Sequence, residues 1–175
     1  MTLANSEEKQ MGFFDTLAKV GSALVEQAQK DQARKMKEYS GKAVSAGKPE
    51  PKIGGKTLRE WEGSWQYLGT LDSANLSHLS GSVGLYRAKL RGEIVYIGRA
   101  VEYSNGGLRK RLSDYTRESD SSRKHTSGQL MNEHASQLSI DILITGSNPE
   151  AVDAAKQLEQ YFIGTYRPAW NKMFK

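Results

Sequence analysis

Apolar residues recur at helical spacing near the start of the chain, and they predict one long helix over residues 7–39. The recurring positions, three or four residues apart, are Phe13, Leu17, Val20, Leu24 and Ala28. The second half of this helix is almost wholly polar, so its apolar stripe needs a surface to pack on. That surface could belong to a protein partner, to a membrane or to the rest of the chain. Ordinary packing on the rest of the chain explains the pattern at least as well as the other two.

The composition then changes and predicts a flexible linker over residues 40–56, which are rich in Gly, Lys, Ala and Pro and contain no aromatic residue. Order is expected to resume at Thr57, because Thr57 and Glu60 have the spacing of a helix-capping box. The aromatic residues that follow predict a small buried cluster: Trp61, Trp65 and Tyr67. A stretch rich in Ser and Asn leads from there to residue 82.

Short strands dominate the pattern after residue 82. Two of them, Gly84–Leu90 and Ile94–Gly98, lie on either side of Arg91-Gly92-Glu93, which predicts a tight hairpin. Residues 138–142 alternate between apolar and polar, so we expect a third, half-buried strand there.

Helices are predicted between and after these strands. A basic helix follows the Gly106-Gly107 pair, a short helix covers residues 128–137, and a final helix starts at Asn148-Pro149 and runs to about Tyr166. This order predicts an α+β fold, in which a small three-stranded antiparallel sheet is flanked by helices. The predicted organisation is an amphipathic N-terminal helix (1–39), a flexible linker (40–56), a lead-in segment (57–82) and a main domain (83–175).

Composition narrows the class of protein. Among 175 residues there is no cysteine, which excludes disulfides, thiolate zinc sites and a cysteine nucleophile. No apolar run is long enough to span a membrane and the N-terminus lacks a secretory signal, so a cytoplasmic protein without a transmembrane segment is expected. The net charge of +5 lies mostly in the second half, where six basic and three acidic residues fall between positions 109 and 124. Such a patch suits phosphates, although a solvated helix face is an equally good interpretation.

Glu159 is unusually placed on the final predicted helix. It falls within the apolar arc rather than on the polar side, and a carboxylate in that position is costly unless a cation or several donors accompany it. One interpretation is a buried ion pair. The other is a metal ligand at the edge of a cleft, because Mg²⁺ prefers oxygen ligands and is often held by one or two carboxylates.

A second candidate pair lies on the basic helix. Arg111 and Tyr115 are four residues apart and therefore share a face. The planar guanidinium of arginine can make two charge-assisted hydrogen bonds to a phosphate. Taken alone, an exposed arginine beside a packing tyrosine is the commoner arrangement.

Five sequence blocks in order resemble the motifs of the GIY-YIG nuclease family, especially the branch that includes the incision subunit of bacterial nucleotide-excision repair. Gly84-Leu85-Tyr86 is followed, ten residues from tyrosine to tyrosine, by Tyr96-Ile97-Gly98, with Leu85 in place of the usual isoleucine or valine. The later blocks are Arg99-Ala100, residues 107–115, Leu158-Glu159 and residues 167–171. The resemblance covers about 90 residues, from Val83 to Lys172.

The resemblance implies a role for each matching residue. Tyr86 matches the tyrosine proposed as general base, and Tyr96 matches a tyrosine that helps to orient the attacking water. Glu159 matches the single metal-binding carboxylate. Arg111 matches the arginine that stabilises the pentavalent phosphate, and Arg99 stands where a basic residue contacts the substrate.

Further residues are implied around this set. Tyr115 matches a hydrogen-bonding tyrosine or histidine, and Asn171 matches a terminal asparagine that is expected to brace the site and is grouped with the substrate-binding residues. Arg109 and Lys110, from the basic patch, are also assigned to substrate binding. His125 lies near a histidine of the homing-endonuclease branch, at an approximate spacing.

The resemblance therefore implies a DNA endonuclease that depends on Mg²⁺ or Mn²⁺, with a metal bound at Glu159. A phenol has a pKa near 10, so Tyr86 would need nearby positive charge to act as a base at neutral pH. Two alternatives remain open. One is an inactive nucleic-acid-binding or adaptor protein on the same fold, and the other is a nuclease toxin delivered or attached through the N-terminal helix.

Overall fold

The computed structural model describes residues 50–117 and 126–171, together with six helical positions between Gln27 and Glu38. Most of the helix predicted over residues 7–39, and most of the linker predicted over residues 40–56, lie outside the described residues. Within the described part of the chain, no helix is both long and apolar enough to cross a membrane.

The centre of the fold is an antiparallel sheet of four strands. They are β3 (Gln66–Thr70), β4 (Val83–Leu90), β5 (Glu93–Ala100) and β6 (Leu138–Gly146), in the order β3-β6-β4-β5. The prediction of three strands was wrong, because β3 adds an edge strand that pairs with β6. Its sequence, Gln-Tyr-Leu-Gly-Thr, has little apolar alternation because neither face of this edge strand is deeply buried.

The helices lie close to their predicted positions. They are α1 (Leu58–Glu62), α2 (Gly107–Thr116), α3 (Thr126–Glu133) and α4 (Pro149–Tyr166). The predicted start of α4 is confirmed, since the Asn148 side chain accepts a hydrogen bond from the Ala151 N–H at 2.9 Å and Pro149 occupies the first turn. The predicted capping box at Thr57 and Glu60 is also confirmed. Helix α3 ends four residues before Gln137, in a turn that leads into β6.

Residues 52–57 form a hairpin of strands β1 (Lys52–Ile53) and β2 (Lys56–Thr57), which includes the last five residues of the predicted linker (52–56). Ile53 is buried, and the Trp61 indole N–H donates to the Ile53 carbonyl at 2.7 Å. The predicted aromatic cluster is partly wrong: Trp61 is buried, but Tyr67 on the edge strand is 68% exposed. The segment before residue 83 is thus built into the same core as the sheet.

Two hydrophobic clusters cover the two faces of the sheet. One includes Leu85 and Ile97 and packs against α4. The other includes Tyr86 and packs against α2 and α3. Successive side chains of a strand point to opposite faces, so Leu85 lies in the first cluster and its neighbour Tyr86 lies in the second. Strand β5 is at the edge of the sheet, where both faces meet solvent.

Candidate active site

The β4–β5 hairpin positions the two motif tyrosines. Its two-residue turn, Arg91-Gly92, has positive φ at both positions (53° and 89°), the geometry of the favoured hairpin turns. In the resulting register Tyr86 lies opposite Gly98. A Cβ added at Gly98 would lie 2.4 Å from the Tyr86 hydroxyl oxygen, so only glycine lets the tyrosine lie across β5.

Three tyrosines meet on the α2 side of this hairpin. The hydroxyl oxygens of Tyr86 and Tyr115 are 2.6 Å apart, within hydrogen-bond distance. The Tyr86 ring centroid is 6.1 Å from that of Tyr96 and 6.0 Å from that of Tyr115. The Asn132 amide, from α3, donates to the Tyr115 carbonyl at 2.6 Å and ties the end of α2 in place. The phenols therefore converge from β4, β5 and α2.

Burial raises the pKa values of two phenols in this cluster, those of Tyr86 and Tyr115. Tyr86 is 1% exposed, and this burial, together with the neighbouring Tyr115 and Tyr96, raises its pKa well above the usual value. Burial also raises the pKa of Tyr115. Arg111 acts in the opposite direction on both groups, but its effect is smaller. The positive charge of Arg111 is therefore too weak to bring the pKa of Tyr86 below its usual value, and the phenol stays protonated at neutral pH.

Arg111 lies between the tyrosines and a carboxylate that the sequence analysis missed. Its guanidinium donates to a Glu102 carboxylate oxygen at 3.1 Å, and both side chains remain about half exposed. Partial burial raises the pKa of Glu102, but backbone hydrogen bonds and Arg111 outweigh it and lower the pKa overall. Glu102 lies two residues after the end of β5, and its place in a short loop gave no spacing signal that could reveal it.

Glu159 approaches from the opposite face of the sheet, on α4. Its side chain is 15% exposed and forms an ion pair with the Arg99 guanidinium. Burial raises the pKa of Glu159, while Arg99 and Arg111 oppose the shift. Arg111 thus acts electrostatically on the phenols and on this carboxylate, so the site extends around the β5 edge from one face of the sheet to the other.

Asn171 holds this edge from outside. Its amide oxygen accepts from the Ile97 N–H at 3.0 Å, and its amide nitrogen donates to the Ile97 carbonyl at 2.7 Å. Asn171 is 8% exposed, so both polar groups serve the backbone beside Tyr96. This geometry supports a bracing role, because each polar atom of the side chain is bonded to the β5 backbone, and the assignment of Asn171 to substrate binding stays a prediction.

The other predicted substrate-binding residues lie elsewhere or outside the described residues. Arg109 and Lys110 are exposed on the outer side of α2, away from the phenols, and the Lys110 ammonium pairs with Asp114 at 2.9 Å. His125 falls in the undescribed segment between residues 117 and 126. The structure therefore brings together Tyr86, Tyr96, Tyr115 and Arg111, and places the Arg99–Glu159 pair at the adjoining edge.

The donor groups suit a cation that needs few protein ligands. Among the described residues, no group of three or more His, Cys, Asp or Glu side chains could hold a metal together. Glu159 is a half-buried carboxylate with a cation already beside it, and Mg²⁺ is commonly bound through one or two carboxylates while keeping several waters. The residues therefore fit a singly coordinated, mostly hydrated ion and not an all-protein metal cage.

Comparison with known proteins identifies the family. The model of the UvrC-like GIY-YIG domain matches residues 82–172. A search of curated proteins gave no significant match. Among solved structures, the chain is similar to the GIY-YIG N-terminal endonuclease domain of UvrC from Thermotoga maritima, bound to its catalytic divalent cation, magnesium. The two sequences are 23% identical, the match covers 55% of this chain and 90% of that chain, and the TM-score is 0.41. A point mutant of that domain, also bound to its catalytic divalent cation, matches with 23% identity, 55% and 89% coverage and a TM-score of 0.38. Because the family model covers more than half of the 175 residues, the chain belongs to the UvrC-like GIY-YIG domain family.

Proposed function

We propose that this protein is a metal-dependent endonuclease that hydrolyses phosphodiester bonds in DNA. The observation that supports the proposal best is the meeting of three phenols, the Arg111 guanidinium and the half-buried Glu159 around one sheet edge. A phosphoryl-transfer site needs cations near the phosphate oxygens and hydrogen-bonding groups near the attacking water. The family match to a nuclease domain supports the same chemistry.

The arginines would bind and orient the scissile phosphate. Arg111 and Arg99 are 41% and 40% exposed, so each guanidinium can reach a ligand in the cleft. Both are paired with a carboxylate in the free protein, and a phosphate would replace those carboxylates as hydrogen-bond acceptor. The negative charge that grows on the phosphate during attack would strengthen these bonds.

The tyrosines would position the attacking water. The Tyr86 phenol is protonated and hydrogen-bonded to Tyr115, so in this geometry it acts first as a fixed hydrogen-bonding group and not as a ready base. Tyr96 lies at the more open side of the cluster and completes the water-binding surface. Attack on phosphorus then breaks the bond to the 3′ oxygen, which takes up a proton and leaves a 5′ phosphate on the other fragment.

Glu159 would hold the Mg²⁺ or Mn²⁺ ion. When bound, such an ion stabilises negative charge on the phosphate and on the leaving oxygen. Arg99 forms an ion pair with Glu159 and opposes the rise in pKa that burial causes at this carboxyl. The two residues are therefore expected to separate when an ion takes the place of the guanidinium.

Cleavage of supercoiled plasmid by the purified chain tests this proposal. With Mg²⁺ or Mn²⁺ we expect nicking that EDTA abolishes, and we expect Glu159→Gln and Arg111→Gln each to lower the rate by about 10²-fold or more. Glu150→Gln, at an exposed position on the same helix α4, and Arg59→Gln, on α1, are matched controls that should cleave normally.

Two outcomes would contradict the proposal. Glu159→Gln cleaving at the wild-type rate would remove the carboxylate from the mechanism. DNA binding without cleavage under any divalent metal would favour the non-catalytic binding protein instead. Parallel reactions with duplex DNA, single-stranded DNA and RNA identify the substrate.

A further inference from the structure

A second cationic surface lies on α2, on the side turned away from the phenols. It is a groove of about 320 Å³ between the outer face of α2 and the loop that precedes it. We call it the outer groove, and the residues that line it include Ser104, Asn105, Arg109, Lys110, Ser113 and Arg117. None of its lining residues is acidic, and its neutral members offer hydroxyl and amide groups.

Helical spacing gives the outer groove a regular row of donors. Arg109 and Ser113 are four residues apart and share one face of α2, and Arg117 follows directly after the last turn as its C-cap residue. Arg111 lies two residues from Arg109, roughly 200° around the helix, so the row does not belong to the catalytic cluster. The two cationic surfaces lie on different sides of a single helix.

The outer groove keeps an excess of positive charge. Among the described residues, Asp114 is the acid that forms ion pairs here: it pairs with Lys110 at 2.9 Å and lies 4.0 Å from Arg117. Arg109 has no ion-pair partner within this described part of the chain, and the Arg117 side chain is 64% exposed. The ion pairs of the three described cations therefore involve one carboxylate, at a concave surface lined with hydrogen-bond donors.

This chemistry fits a chain of phosphates. Exposed guanidinium groups at regular spacing bind phosphate oxygens with two parallel hydrogen bonds, and Ser and Asn side chains commonly add contacts to phosphate and sugar. An acidic peptide would also match the positive charge. A nucleic-acid backbone fits better, because its phosphates are evenly spaced and so are the donor side chains along the outer groove.

We propose that the outer groove binds the backbone of nucleic acid away from the scissile phosphate, with Arg109 and Arg117 as the main contacts. The proposal rests on the proposed function only for the choice of nucleic acid as the ligand. The outer groove then supplies affinity that does not depend on base sequence, while the residues around β5 act on the bond that is cut.

Binding measured without cleavage tests the proposal. Anisotropy of a fluorescein-labelled DNA duplex would be followed with the full chain in EDTA, between about 50 and 200 mM salt. Each phosphate contact contributes about −0.9 to the slope of log Kobs against log[salt], so Arg109→Gln/Arg117→Gln should make the slope less negative by nearly 2. Over this salt range the same change should weaken binding by about one to two orders of magnitude. The double variant Arg59→Gln/Lys156→Gln removes the same charge from exposed positions on other helices and should keep the wild-type slope.

The outcomes separate this proposal from the proposed function. A wild-type slope in Arg109→Gln/Arg117→Gln, an equal loss in the control, or no DNA binding by the wild-type chain would each overturn the outer groove as a binding site. A chain that cuts DNA but shows one of those results retains the proposed function without the outer groove. Conversely, a chain that binds through Arg109 and Arg117 but never cuts retains the outer groove and loses the proposed activity.

Discussion

Asn171 offers the sharpest test of how the site is held, because one small side chain carries two hydrogen bonds to the backbone of β5. We expect Asn171→Ala to lower the free energy of unfolding by about 2–4 kcal/mol. The two bonds to Ile97 contribute about 1 kcal/mol each, and the remaining cost arises because Ile97 is 0% exposed and its N–H and C=O lose their partners. Removing this brace should also loosen β5 beside Tyr96 and slow cleavage.

Urea denaturation followed by circular dichroism measures the effect. With a slope of about 2 kcal/mol/M, the expected loss moves the unfolding midpoint down by about 1–2 M. Asn105→Ala removes an exposed amide and is the matched control. Asn171→Asp keeps the acceptor but loses the donor, and acidification through a pH of about 4 should restore part of its stability by protonating the new carboxyl. A midpoint for Asn171→Ala equal to that of Asn105→Ala would refute the bracing role.

Three further predictions follow from the buried residues. Gly98→Ala should lower stability by at least about 1–3 kcal/mol, measured by urea unfolding, because the new methyl group would overlap the Tyr86 hydroxyl and force buried atoms apart. The pKa values of Tyr86 and Tyr115 are raised in the folded chain, so their contribution to stability is complete below the unfolded-state pKa of about 10 and is lost as the pH rises above it. Between pH 8 and pH 11, the free energy of unfolding should therefore fall less in the Tyr86→Phe/Tyr115→Phe variant than in the wild-type chain. An equal fall in both proteins would contradict the assignment. Trp61→Ala should cost about 3–5 kcal/mol, seen as a drop in melting temperature, because this indole is 3% exposed and bonded to Ile53; an unchanged melting temperature would mean that the lead-in segment is not part of the core.

The sequence predicted most of the elements from local patterns. Asn148 and Pro149 predicted the start of α4, and Thr57 and Glu60 predicted the start of α1. The two short strands on either side of Arg91-Gly92 predicted the β4–β5 hairpin. Strand β3 was missed because its identity depends on pairing with β6, whose paired residues are 69 or more positions away along the chain, and not on its own alternation. Edge strands carry less of the apolar signal that sequence patterns reveal.

In the candidate site, too, local patterns were visible in the sequence and contacts between distant residues were not. Most of its candidate residues were predicted from the family motifs, and Glu159 also from its place on an apolar arc, because both signals are visible along the chain. The high pKa of Tyr86 was not foreseen, because it depends on how fully three phenols bury one another. The Glu102–Arg111 pair joins a loop to a helix, and such a contact becomes visible only when β5 and α2 are placed side by side.

The two edge strands of the sheet, β3 and β5, determine how readily the sheet can pair with a second molecule. An exposed margin offers free N–H and C=O groups to a strand of a second molecule, which is a common start of aggregation. At β5 the Ile97 N–H and C=O are bonded to the Asn171 side chain, and the Val95 carbonyl accepts from the Trp170 N–H at 2.8 Å. At β3 the pairing is interrupted between Tyr67 and Gly69, and such an irregularity twists an edge strand away from flat pairing. Both edge strands of this sheet thus carry features that hinder pairing with a strand of a second molecule.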